Sequence, residues 1–210
     1  MRKVLIVDDH AVVRDGVKRL LDENPGTIHC GEAGTPDEAL RMALADDWDA
    51  VVLDLSLAGR SGLEVLKQLK HARPRLRVLV LTIHSEEQYA RRAFKAGASG
   101  FITKDSPRAE LSKAIYSVME GGKYLNPALA ERLIFNPERG SDRPADETLS
   151  DREFQVMALI ASGKTLSEIA EVLALSDKTI STYRARVMEK MGMRTNAELT
   201  RYAIQNKLVD

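Results

Sequence analysis

The sequence predicts a doubly wound α/β domain followed by an all-helical domain carrying a helix-turn-helix. Two patterns predict the first part. Short apolar runs alternate with amphipathic segments over residues 3–120, and the runs are almost continuously apolar, as in strands covered on both faces. A third pattern predicts the second part: beyond residue 149 such runs cease, and capping signals open one helix after another.

The strands fall at 3–7, 28–33 (the weakest), 50–54, 77–82 and 100–103. Between them lie helical spacings: Val13, Val17, Leu20 and Leu21, then Ala39, Leu40, Ala43 and Leu44, then Leu63, Leu66 and Leu69. Ala90, Ala93 and Phe94 make a fourth set, and Leu111, Ile115 and Val118 a fifth. Right-handed crossovers join such units into a parallel sheet with helices on both faces. Pro36 and Pro107 sit at helix starts, where a missing N–H costs little. Gly121-Gly122 ends the fifth helix, and Pro127 opens a short one through Ile134.

Asn136 to Thr148 has no apolar period, two prolines (Pro137, Pro144) and many charges, the composition of a linker. Ser150 and Glu153 then form a capping box, and Gly163 can end that helix. Thr165 and Glu168 repeat the device ahead of Ile169, Ala170 and Leu173. Ser176 caps a third helix, and Asn196 a fourth bearing Leu199, Tyr202, Ala203 and Ile204. Two helices joined by Ala174-Leu175-Ser176, the second of them basic, have the layout of a helix-turn-helix.

At 210 residues, 44% hydrophobic and 30% charged, the chain suits two globular domains. A single cysteine, Cys30, excludes a disulfide framework and a cysteine zinc site, and is expected to be a small buried hydrophobe. No apolar run approaches the roughly 20 residues of a membrane span, and acids at positions 8 and 9 do not suit a signal peptide. A cytoplasmic protein with no membrane partner is expected. Net charge is zero, but Lys178, Arg184, Arg186, Lys190 and Arg194 cluster against one acid, Glu189. His10, His29, His71 and His84 show no metal-ligand spacing, so solvated or packed histidines are expected.

The chemistry lies where the strands end. Asp8 and Asp9 follow the first, Asp54 follows the third, Thr82 closes the fourth and Lys104 follows the fifth. The carboxyl ends of parallel strands converge on one crevice, where ligands bind. A lone Asp after a strand is commonly a helix cap. Three carboxylates together are costly unless a cation relieves them, and Mg²⁺ takes such oxygens. A carboxylate can also accept a phosphoryl group, with a hydroxyl and an ammonium holding its other oxygens.

Residues 1–122 resemble the receiver domain of two-component response regulators, on Asp8, Asp9, Asp54, Thr82 and Lys104 in order. That resemblance implies a flavodoxin-like sheet of five parallel strands, order 2-1-3-4-5, with Asp54 as phosphoacceptor. It implies Mg²⁺ on Asp9, Asp54 and the backbone carbonyl of Ser56, with Asp8 acting mainly through water. Thr82 and Lys104 assist the transfer, and Thr82 with Phe101 forms the switch pair. His84, two residues past Thr82, can overhang the acyl phosphate. Two positions depart from the pattern, which commonly has proline at Ala58 and at Asp105.

Residues 149–210 resemble the LuxR-type DNA-binding domain, after a linker with a short helix at 123–148. The resemblance rests on Leu149-Ser150-Asp151-Arg152-Glu153, Gly163-Lys164-Thr165, Glu168-Ile169-Ala170, Lys178-Thr179-Ile180 and Lys190-Met191-Gly192. On a helix of 3.6 residues per turn, Ile180, Val187 and Met191 share one face, with Tyr183 beside them. Lys178, Thr182, Ala185 and Glu189 lie opposite, flanked by Ser181 and Arg186. By resemblance Ser181, Thr182 and Ala185 read base edges, while Lys178, Thr179, Arg186 and Lys190 meet phosphates. The whole resembles the NarL/FixJ-type transcription regulators. It implies a sensor histidine kinase and double-stranded promoter DNA as partners, and a homodimer when phosphorylated.

Two rivals remain at this stage. Phosphatases with an aspartyl nucleophile share the doubly wound sheet, but they carry a second Asp two residues on, where this chain has Ser56. A regulator that ignores phosphate would not need the five site residues.

Overall fold

The computed structural model describes residues 2–22, 28–83, 87–135, 145–206 and 208–209. It falls into two compact units divided chiefly between Glu131 and Arg132. In the first, β1 (Arg2–Val7), β2 (Ile28–Ala33), β3 (Ala50–Leu53), β4 (Val78–Thr82) and β5 (Gly100–Thr103) alternate with five helices. These are α1 (Ala11–Asp22), α2 (Pro36–Ala45), α3 (Gly62–Ala72), α4 (Glu87–Lys95) and α5 (Arg108–Met119).

Val4, Ile6, Val52, Leu79, Leu81 and Ile102 pack with Val17, Leu20 and Leu21 of α1 and Ala114, Ile115 and Val118 of α5. The alternate residues of the same strands, Leu5, Val7, Val51, Leu53, Val78 and Val80, are equally buried on the opposite face. Burial on both sides is why these strands read as continuous apolar runs. Cys30 is only half-buried and packs at the margin of the core.

One expectation is corrected. The sheet has six parallel strands, not five, in the order β2-β1-β3-β4-β5-β6. The added β6 is Tyr124–Leu125, in register with Gly100 and Phe101. Gly121, at φ 90°, and Gly122 turn the chain back after α5, and two residues then suffice to pair. A two-residue strand has no periodicity to detect. The short helix α6 follows at Pro127–Phe135. Residues 136–144 of the expected linker lie outside the described residues, and Ala145–Thr148 form a 3₁₀ turn.

The second unit contains α7 (Asp151–Ala161), α8 (Leu166–Leu173), α9 (Asp177–Met191) and α10 (Asn196–Gln205). Phe154, Val156, Met157, Ile169, Leu173, Ile180, Val187, Leu199 and Ala203 are buried. Ser150–Glu153 and Thr165–Glu168 are reciprocal capping boxes. The cap of α10 is Thr195, not Asn196: its hydroxyl accepts from Glu198 N, and Glu198 reaches back to the Thr195 N–H. Ala174 takes a left-handed φ of 50° in the α8–α9 turn. No described helix is long and apolar enough to cross a membrane.

Candidate functional site

The ladder of the sheet places the acids. Asp8 N–H donates to Ala33 O at 3.2 Å, and Asp54 N–H donates to Val7 O at 2.9 Å. Lys104 N–H donates to Thr82 O at 2.8 Å, so β1, β3, β4 and β5 end at one level. Lys104 Nζ then lies 2.6 Å from Asp8 Oδ2 and 2.7 Å from Asp54 Oδ2. The other oxygen, Asp54 Oδ1, accepts from Ser56 N–H at 3.1 Å. Asp9 Oδ2 accepts from Ala58 N–H at 3.2 Å, a donor that the proline common at this position could not supply.

Gly62 lets this loop close. A Cβ there would lie 2.2 Å from Asp54 O and 2.5 Å from Leu55 Cα, and Gly62 N–H donates to Leu55 O. Thr82 and Phe101 are fully buried. Phe101 pairs in register with Val80, two residues before Thr82, so the two share a face of the sheet.

Asp8 and Asp54 are 2% and 1% exposed. Burial pushes the Asp54 carboxyl above the usual carboxylate range, and the Lys104 ammonium and Ser56 N–H pull against it. Burial likewise draws the Lys104 ammonium down, but hydrogen bonds to Asp54 and Asp8 outweigh it and leave the group raised. Three carboxylates face one ammonium, so the crevice stays short of positive charge.

The donor set fits a hard divalent cation. Ligand atoms of Asp8, Asp9, Asp54 and His10 all lie within 4.8 Å of one another. Asp8 Oδ2 and Asp9 Oδ1 are buried, and each faces one basic nitrogen, of Lys104 and of His10. Carboxylate oxygens at that spacing, with more negative charge than those nitrogens offset, are what Mg²⁺ takes. His10 was not expected here. Its ring is two-thirds exposed, with Nδ1 2.8 Å from Asp9 Oδ1 and 3.2 Å from Asp8 Oδ1. Its place directly after the acidic pair was the available signal. His29 stacks on Trp48, His71 is exposed and His84 lies outside the described residues.

On α9, Lys178, Ser181, Thr182, Ala185 and Arg186 are exposed, opposite buried Ile180, Val187 and Met191. Thr179 is half-buried, and its N–H donates to the capping hydroxyl of Ser176. Thr182 Oγ1 donates to Lys178 O at 2.9 Å. Lys190 does not stand free. Its ammonium lies 2.6 Å from Glu153 Oε2, a carboxylate side chain only 4% exposed, which ties the end of α9 to the start of α7. Arg184 Nε donates to Asn196 Oδ1, binding α9 to α10. Of the apolar residues singled out on α10, Leu199 and Ala203 fill this unit's own core and Tyr202 is half-buried, while Ile204 is exposed.

Two family models match the chain. Residues 4–116 match the response regulator receiver domain, and residues 147–203 match the bacterial regulatory proteins of the luxR family. The chain is 36% identical to the response regulator GacA of Pseudomonas aeruginosa, over 100% of this chain and 99% of that protein. It is 34% identical to the response regulator UvrY of Escherichia coli K12, over 99% and 96%. A solved structure of RcsB from Salmonella enterica serovar Typhimurium, bound to promoter P1flhDC in the presence of the phosphomimetic BeF3-, is similar at TM-score 0.59. That similarity has 25% identity and covers 96% of this chain and 97% of RcsB.

Proposed function

This chain belongs to the response regulators that join a receiver domain to a LuxR-type DNA-binding domain, and we propose that phosphoryl transfer to Asp54 switches it. It is a DNA-binding transcription regulator. The observation that carries the assignment of Asp54 is its juxtaposition with Lys104 at 2.7 Å and with the Asp8-Asp9 pair.

The donor is the phosphohistidine of a sensor kinase. A carboxylate oxygen of Asp54 attacks phosphorus, the P–N bond breaks, and its electron pair returns to the imidazole. Asp9, Asp54 and the Ser56 carbonyl would hold Mg²⁺, with Asp8 acting through water. Bound there, the ion neutralises the carboxylates and the phosphoryl oxygens. Lys104 already aims its ammonium at Asp54, and it passes to a phosphoryl oxygen once the acyl phosphate forms. Thr82 is drawn toward another such oxygen, and Phe101, on the same face, follows the movement of β4. Ser56 stands where the aspartyl phosphatases carry a second acid, which supports a site that holds its phosphate rather than turning over a substrate, with DNA binding as the output.

Phosphorylation favours a homodimer, which reads two half-sites about one helical turn apart and multiplies the few contacts of one helix. Exposed Ile204 on α10 supports a contact there, and RcsB bound to promoter DNA in the presence of the phosphomimetic supports DNA binding in the phosphorylated state.

The test is labelling by acetyl phosphate. With Mg²⁺ the native chain takes one phosphate; Asp54→Asn and EDTA each abolish it. In sedimentation, beryllofluoride raises the dimer fraction of the native chain only. Stoichiometric labelling of the Asn variant would remove Asp54 from its role.

A further inference from the structure

Arg14 lies one turn into α1 and plays no part in the chemistry above. Its side chain is only 18% exposed. The guanidinium Nη1 donates to the backbone carbonyl of Asp8 at 2.7 Å, and Nε donates to Glu32 Oε2 on β2 at 3.3 Å. Lys18, one turn further along the same helix, holds the other oxygen of Glu32 at 3.0 Å. Both hydrogen bonds from these cations hold the Glu32 carboxyl below its usual range, Lys18 the more strongly.

Asp8 is thereby held through the peptides on both sides of its Cα, and the one that links it to Asp9 is held by Arg14. Asp8 N–H is tied to β2 through Ala33 O, and Asp8 O is tied to α1 through Arg14. The Asp8 carboxylate is fixed as well, by His10 N–H at 2.9 Å and by Lys104. The Asp9 carboxylate leaves from the far side of that peptide. Its aim therefore depends on whether the peptide can rock.

We infer that Arg14 is a positioning residue for the cation site. It clamps the Asp8–Asp9 peptide so that both carboxylates face Asp54, and Glu32 holds Arg14 in place. The inference rests on the acidic site being a divalent-cation site. Partners beyond the ligands that orient them typically change metal affinity 10–100-fold when removed.

Direction separates this role from simple electrostatics. Arg14 is a cation near a cation site, so removing its charge alone would tighten binding. Removing a clamp loosens it.

The experiment is Mn²⁺ binding by the full-length chain, read as loss of the free-ion electron paramagnetic resonance signal. Melting curves in EDTA accompany it. Arg14→Ala raises the dissociation constant about tenfold. Arg14→Lys falls between, because an ammonium reaches the carbonyl without the fork that also grips Glu32. Glu32→Ala raises the constant less, and the double variant is no weaker than Arg14→Ala, because Glu32 acts through Arg14. Unchanged or tighter binding in Arg14→Ala overturns the inference. If that variant melts early even in EDTA, Arg14→Lys decides, because it keeps the charge: weaker binding at native melting temperature supports the clamp, and unchanged binding overturns it. A native chain that binds no Mn²⁺ overturns the reading of the acidic site itself.

Discussion

Lys104 holds Asp54 by one oxygen, at 2.7 Å, while Ser56 N–H holds the other at 3.1 Å. The same ammonium serves Asp8 at 2.6 Å. Two carboxylates with almost no exposure thus share one cation. Removing one partner of a buried pair costs about 3–5 kcal/mol, because a charge stays behind without compensation. Lys104→Ala should therefore lose about that much stability in EDTA at neutral pH. Millimolar Mg²⁺ should return a good part of it, since a divalent ion meets the same oxygens. Melting curves with and without Mg²⁺ check this. Equal melting of native and variant chains in EDTA would mean that the carboxylates find another counter-charge.

Gly62 offers a second test, independent of charge. A Cβ there meets backbone, at 2.2 Å from Asp54 O, and backbone cannot swing aside as a side chain can. Gly62→Ala should cost about 1–3 kcal/mol by overpacking and shift the loop that carries Ser56 and Ala58. Acetyl-phosphate labelling should slow even at temperatures where the variant is folded. Native labelling rate with native stability would show that the loop can move without cost.

Much of this was legible in the chain because the relevant signals are local. A continuous apolar run that stops at a carboxylate marks both the strand and the site, so Asp8, Asp9, Asp54 and Lys104 meet as strand order requires. The capping boxes at Ser150 and Thr165 follow from three-residue spacing. The same spacing joins Thr195 to Glu198, but Asn196 is also a good cap, and the pattern alone favoured the wrong neighbour. What the sequence hides is pairing across elements. Arg14 with Glu32, and Lys190 with Glu153, lie 18 and 37 residues apart. Each charge reads as a solvated face until the fold brings its partner. The bond from Ala58 N–H to Asp9 is likewise invisible, since an alanine announces no backbone donor.

Tyr202 and Asp146 give a pH test within the second unit. The phenol donates to Asp146 Oδ1 at 2.8 Å, fastening the 3₁₀ turn to α10, and Asp146 is 1% exposed. Burial, reinforced by the Asp146 carboxylate, pushes the phenol up to about 12. An unfolded tyrosine titrates near 10. The folded value is the higher one, so the stabilisation is fully present below pH ~10 and is lost as pH rises through ~12. Tyr202→Phe should cost about 1–3 kcal/mol at pH 8, as a buried acceptor loses a donor. It should also flatten the fall in stability between pH ~10 and ~12, and remove one late step from the tyrosinate absorbance titration. A variant with the native alkaline slope would place that titration elsewhere.

The exposed face of α9 divides into groups that fix register and groups that read sequence. Arg186 is exposed and flanks that face, so its charge is available to phosphates, whereas the Lys190 ammonium is engaged by Glu153. Phosphate contacts carry no sequence information and set the salt dependence. Arg186→Ala should therefore weaken specific and scrambled DNA alike and lower the salt slope by roughly one unit per protomer contact. Lys190→Ala should change the slope less and instead destabilise the unit, because Glu153 is left buried without its cation. Thr182 differs from both. Its hydroxyl hydrogen is committed to Lys178 O, so a base edge meets a lone pair or the methyl group. Two substitutions separate these. Thr182→Val keeps the methyl, and Thr182→Ala keeps neither. If the methyl does the reading against a thymine, Val stays near native while Ala loses roughly 1–3 kcal/mol on the preferred site only. If the lone pair reads a donor edge, both lose it. Isotherms at several salt concentrations, on a native promoter and on scrambled DNA, resolve these cases. Should Arg186→Ala change base preference at constant salt slope, the helix would sit in the groove by a different face.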